Sequence, residues 1–244
     1  LAARSLLDWK RNRVDATLMS FFLAYLHGKL GEGLSNQMKI TKSMGMNYSI
    51  NWWKTNKMTI PPQISPLDFI SKRIEWRYEK GTPKPTESKV LLGDSTRKLS
   101  HIASEAKQNH IRFSLLFTSP PYCSITNYHA DQWLRLWLLG GSEVPLMQGN
   151  KHRKRFVNKV EYKNLLDNVF GKCAKLMKRN GTVYVRTDKR QFTLESTLDT
   201  LKKHFPKHEQ QILQRPLKKN TKTQTALFGD KSKKPGEVDI ILTR

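Results

Sequence analysis

The chain has 244 residues, with 44 Lys and Arg against 20 Asp and Glu, a formal net charge of +24. At 37% hydrophobic it has enough apolar side chains for a sizeable core, which excludes wholesale disorder, and no apolar run reaches the roughly 18 residues of a membrane span. No basic-then-apolar signal segment stands at its start, and Cys123 and Cys173, without CxxC spacing, suggest neither a disulfide framework nor a metal site. The charge points to a polyanionic partner, nucleic acid before any membrane, and the cysteine usage fits a reducing cytoplasm.

Residues 14–30 predict a helix, because Leu18, Phe21, Phe22, Tyr25 and Leu26 recur at three- and four-residue spacing. Residues 36–62 are basic and aromatic without periodicity and close on Pro61-Pro62, so an irregular, inserted segment is expected. A second helix is expected over 66–80, with Phe69, Ile70, Ile74 and Tyr78 on one side. Residues 80–88 read as a linker by their Gly and Pro content. From residue 89 the pattern changes. "KVLLGD" predicts a short strand, "STRKLSHIASEAKQ" a helix and "FSLLFTSPP" a second strand. Trp133, Leu134, Trp137 and Leu138 have the spacing of a core helix. Residues 161–181 predict an amphipathic helix stopped by Asn180-Gly181, followed by the strand "TVYVRTD", the helix "TLESTLDTLKKHF" and the strand "EVDIILTR". Strand alternating with helix predicts an α/β domain, its parallel sheet covered on both faces.

In such sheets ligands bind at the carboxyl ends of strands. Three expected strand ends carry polar residues: Gly93-Asp94-Ser95, Thr118-Ser119 and Arg186-Thr187-Asp188. Turn chemistry accounts equally well for the first and last. Thr118-Ser119-Pro120-Pro121-Tyr122 is different. Two prolines fix a rigid extended corner whose carbonyls face outward, with a tyrosine on a stiff stem immediately after. Such a corner offers hydrogen-bond acceptors beside an aromatic plate.

That five-residue run resembles motif IV of the S-adenosylmethionine-dependent DNA amino-methyltransferases, and its serine form resembles the N4-cytosine branch most; N6-adenine enzymes more often carry DPPY or NPPY. "VLLGDSTRKL", "LMKRNGTVYVRTD" and "EVDIILTR" are similar to the family's flanking strands, so the resemblance covers about residues 87–244. It implies a Rossmann-like methyltransferase sheet, incomplete in this chain, behind a mainly helical and irregular N-terminal region. It also implies a division into residues 1–35 (helical), 36–86 (basic and aromatic, with a target-recognition role) and 87–244 (catalytic). The target base would be flipped out of the duplex. Tyr122 would stack on it. Ser119 and the Pro120 carbonyl would accept the hydrogens of its exocyclic amine, turning the nitrogen lone pair toward the sulfonium methyl, with Pro121 holding the stem. Asp94, Ser95 and Thr118 would lie near the cofactor. No metal is implied.

The family's FxGxG loop, which approaches the methionine part of the cofactor, is not found. Gly31-Glu32-Gly33 is the only GxG and follows a predicted helix. The missing loop and the non-Met start lead to the expectation that a second polypeptide or segment supplies FxGxG and completes the sheet. Double-stranded DNA is the expected partner, gripped through Lys151, Arg153, Lys154, Arg155, Lys218, Lys219 and Lys222, although such runs are often only solvated faces. Trp52 and Trp53, among lysines, suit either nucleic-acid contact or packing of an inserted subdomain. The expected setting is a bacterial or archaeal restriction-modification system, cytoplasmic and nucleoid-associated. N6-adenine methylation, RNA base methylation and a non-catalytic DNA-binding subunit are the competing readings.

Overall fold

In the computed structural model of the chain the described residues are 2–26, 34, 46–60, 64–82, 88–124, 128–144, 156–215 and 236–244. They fall into two compact units. One comprises residues 1–87 and 127–150, the other 88–126 and 151–244.

The first unit is helical: α1 (Ala2–Leu6), α2 (Arg13–Tyr25), α3 (Met46–Thr55), α4 (Pro66–Tyr78) and α6 (Tyr128–Leu138). Local chemistry sets the starts. Asn12 accepts from the backbone N–H of Val14 and Asp15, and Ser65 accepts from Asp68 N–H with Pro66 in the first turn. Helices α2 and α4 pack through Phe21, Tyr25, Phe69 and Tyr78, with Met19, Phe21 and Ile70 buried. Arg135 of α6 donates to the Leu23 carbonyl at 3.0 Å, and Arg4 bonds the Trp137 carbonyl. The predicted helix over 14–30 is observed to Tyr25, and its remainder after Leu26 lies outside the described residues. Residues 46–55, expected to be irregular, form α3, which corrects that reading.

The second unit comprises α5 (Ser95–Gln108), β1 (Phe113–Thr118), α7 (Lys159–Leu176), β2 (Met177–Asp188), α8 (Gln191–His204), β3 (Glu209–Arg215) and β4 (Glu237–Thr243). The sheet order is β1-β2-β4-β3. β1 and β2 are parallel, and β4 runs antiparallel to both β2 and β3. The expectation of an α/β sheet holds, but the all-parallel form is corrected: β4 enters between β2 and β3 in the reverse direction. Alternation along the strands sends Val183, Val185, Val238, Ile240 and Leu242 to one face, where they form the core with Tyr162, Leu166 and Phe170 of α7 and Leu201 of α8. The other face carries Leu115, Phe117, Tyr184 and Arg186. Among the described residues it has no core cluster of its own.

Three further corrections concern individual elements. Residues 89–93 form no strand; Val90 and Leu92 stand 95% and 93% exposed. Helix α7 ends at Leu176 and the chain goes directly into β2 at Met177, so Asn180-Gly181 lies within a strand rather than stopping a helix. And β3, a polar edge strand, had no counterpart in the sequence reading.

Candidate active site at the carboxyl end of the sheet

Because β1 and β2 are parallel and β4 is antiparallel to β2, the ends of β1 and β2 and the start of β4 meet on one rim. The corner 119–124 leaves β1 there. Asp188 and Arg190 lie at the end of β2. Gly236 and Glu237 lead into β4, and the Lys189 N–H donates to the Gly236 carbonyl at 3.0 Å. Gly236 has φ 88°, a left-handed conformation that suits glycine, and it aims Glu237 into this rim.

The corner is pinned from three sides. Cys123 is buried in the core cluster. The Ser124 N–H donates to the Phe156 carbonyl at 2.6 Å. Arg190 holds Asp188 at 2.7 Å and reaches the Cys123 carbonyl at 3.4 Å. Asp188 in turn accepts the Arg190 backbone N–H at 2.7 Å. Arg190 thus ties the end of β2 to the corner after β1.

Tyr122 is half-buried, and its hydroxyl donates to Glu237 Oε1 at 2.9 Å. Burial, then the Glu237 and Asp188 carboxylates, push the phenol up to about 12, while a hydrogen bond with Ser119 acts in the opposite sense. Ser119 itself is exposed, and its hydroxyl oxygen can accept from a ligand. Behind Glu237, Arg186 makes a bidentate pair with Asp239 at 2.7 and 3.2 Å and bonds the Tyr184 hydroxyl at 3.2 Å. Asp239 is 0% exposed, and the pair raises the Arg186 pKa, keeping the guanidinium charged.

Ser119, Pro120, Pro121 and Tyr122 therefore stand on one rigid corner, with Thr118 closing β1 beside them. Asp94 and Ser95 are placed differently. Asp94 is the N-cap of α5, its Oδ1 accepting from Thr96 N–H at 2.9 Å and Thr96 Oγ1 at 2.7 Å, and Ser95 opens that helix. Trp52 and Trp53 lie on α3 in the helical unit. Lys151, Arg153, Lys154, Arg155, Lys218, Lys219 and Lys222, and Gly31-Glu32-Gly33, lie outside the described residues. Glu237 and Arg190 were not singled out from the sequence, and Arg186 was named there only within a polar strand end. The one available signal was Asp239, an acid in the middle of the apolar run "EVDIILTR". Among the described residues no group of three or more His, Cys, Asp or Glu could hold a metal ion, and no helix is long and apolar enough to cross a membrane.

No family model matches the chain, and no curated protein is similar to it at a significant level. Among solved structures, the chain is similar to SMU.776, provisionally assigned as a methyltransferase and complexed with SAH, at a TM-score of 0.30 and 14% identity. That match covers 59% of this chain and 30% of the other. A provisionally assigned SAM-dependent methyltransferase from Streptococcus mutans matches at a TM-score of 0.35 and 11% identity, over 94% of this chain and 48% of its own. The chain thus spans less than half the length of either. At such low TM-scores these likenesses leave the site to be read from its own residues.

Proposed function

We propose that the chain is the base-presenting part of an S-adenosylmethionine-dependent DNA methyltransferase acting on the N4 amine of a flipped cytosine. The observation that carries this is the Thr118-Ser119-Pro120-Pro121-Tyr122 corner, held rigid at the carboxyl end of an edge strand. An aromatic ring on a stiff stem stacks on an extruded base. The Ser119 oxygen and the Pro120 carbonyl are acceptors matched to the two hydrogens of an exocyclic amine. No side chain of the corner is a strong base, and the chemistry asks for orientation and fixed dipoles rather than proton abstraction. The excess of positive charge supports a nucleic-acid substrate.

The described residues alone fit the methyl donor poorly. The Asp94 carboxylate is engaged in capping α5, and no described strand is followed by a glycine-rich turn. When bound, the donor supplies the electrophilic methyl group; the residues here bind and orient the acceptor. A second polypeptide or segment with FxGxG is the remaining part of the proposal. Its support is the outer edge of β1, which has no neighbour among the described residues, beside a face on which Phe113, Leu115 and Phe117 are 45%, 57% and 72% exposed. An apolar, unpaired strand edge is one that natural proteins normally cover.

Mass spectrometry of nucleosides from DNA treated with the assembled enzyme should give N4-methylcytosine. N6-methyladenine in its place would reverse the choice of base, and methylation of RNA alone would move the substrate class. Tyr122→Ala and Ser119→Ala should each abolish the product. If both variants leave methylation intact, the corner is not the site. Calorimetry of the isolated chain with S-adenosylmethionine should show no tight binding, and tight binding without a partner would remove the split arrangement.

A further inference from the structure

We propose that Glu237 is a positioning residue for Tyr122, and that Arg186, forked onto the buried Asp239, supplies a fixed positive charge beside its carboxylate. This rests on the reading of Tyr122 as the plate beneath a flipped base.

Pro120 and Pro121 fix the main chain before Tyr122, but they leave the tyrosine's own two side-chain torsions free. A hydrogen bond at the far end of the ring removes that freedom. The phenol donates to Glu237 Oε1 at 2.9 Å, across 115 residues of sequence. Glu237 Oε2 lies 3.9 Å from Arg186 Nε, beyond hydrogen-bond reach, so the guanidinium acts on the acceptor as a fixed neighbouring charge. Arg186 cannot follow a moving carboxylate, because its planar guanidinium is forked onto Asp239, which is fully buried within β4. The order runs from buried anchor to arginine, to carboxylate, to phenol. Asp239, Arg186 and Glu237 lie on strands or at a strand's first residue, and Tyr122 lies on the corner after β1.

The chemistry of the acceptor matters as well as its place. An ionised carboxylate only accepts. The phenol proton therefore points to Glu237, and the ligand meets the face of the ring rather than its hydroxyl. The charged and titratable groups acting on the phenol are the Glu237 and Asp188 carboxylates and the Ser119 hydroxyl. Asp188 is itself paired with Arg190. Glu237 is the one of these that bonds the phenol and also lies beside the Arg186–Asp239 pair.

The test uses the whole chain with its seven tyrosines replaced by 3-fluorotyrosine, read by fluorine NMR, with Tyr122→Phe assigning the resonance. In Glu237→Ala the Tyr122 signal should narrow and move to the position of an exposed tyrosine. In Glu237→Gln, whose amide oxygen still accepts, it should stay close to wild type. An unmoved signal in Glu237→Ala overturns the inference, as does a Glu237→Gln signal displaced as far as that of Glu237→Ala. In the assembled enzyme, Glu237→Ala and Tyr122→Phe should each raise the KM for target duplex about tenfold, the factor of one charge-assisted hydrogen bond, and the double variant should be no worse than either. Additive losses in the double variant also overturn it. The fluorine readout needs no methylation. A result in which it behaves as expected while Tyr122→Ala still methylates DNA removes the reading of the site and leaves the tether in place.

Discussion

Asp94 shows how one side chain can be claimed by two roles. The resemblance to the amino-methyltransferases puts it beside the cofactor, whereas the structure gives its carboxylate to the Thr96 N–H and hydroxyl. The capping role makes a definite prediction. Asp94→Ala should lower stability by about 1 kcal/mol in chemical denaturation, and Asp94→Asn, an equally good cap, should leave it within a few tenths. Equal loss in both variants would mean that the charge, not the cap, is what matters there. Cys173 makes another. Burial pushes its thiol from 9.0 up to about 11. A folded-state pKa raised in this way gives stability that is complete below about pH 9 and is lost as pH rises through about 11. Denaturation midpoints of the wild type should fall across that window more steeply than those of Cys173→Ala. The residues of the corner were legible in the sequence because Pro-Pro-Tyr acts through adjacent bonds. Glu237 was not, because the bond that gives it meaning spans 115 positions.

At the scale of elements, the two edges of the sheet differ in kind. β3 presents Glu209, Gln210, Gln211 and Gln214 among its exposed residues, a polar edge that discourages further pairing. β1 presents Phe113, Leu115 and Phe117. Leu115→Lys should therefore cost no more than about 0.5 kcal/mol in the isolated chain, as expected for an exposed position, while reducing its self-association in sedimentation velocity and weakening capture of the FxGxG-bearing piece. A loss of several kcal/mol would mean that this side chain is already part of a core. Burial of this kind also governed what could be read beforehand. Helix α7 and strands β2 and β4 carry the core and were visible as apolar pattern. Residues 89–93 have the composition of a strand, but a strand also requires a neighbour, and composition says nothing of whether one is present. β3 needs only a half-buried Leu213 toward its neighbours, too little apolar signal to mark it. The boundary between α7 and β2 was misplaced because the helix ends by a change of backbone at Met177, not at a glycine.

For the whole molecule, the governing quantity is a formal net charge of +24. If that charge serves a nucleic acid, affinity must fall with salt. Titrations from 50 to 200 mM salt should show a log–log slope of about −0.9 per phosphate neutralised, which for six to ten contacts is a loss of about 10³–10⁵. A flat dependence would assign the lysines to solubility alone. The class of fold was readable at this scale from the alternation of strand and helix, whereas the direction of β4 was not, since a strand's sequence is the same in either sense.

That reversed strand also has a consequence in time. Among the described residues β3 pairs with β4 and with nothing else, yet β4 follows it by more than twenty residues of chain. While the protein is being synthesised, every residue of β3 is added before any residue of its partner. A chain released after Gly236 carries a sheet of two strands and an orphaned third, so β3 should be open to protease in it, and a chain released after Thr243 should be protected there.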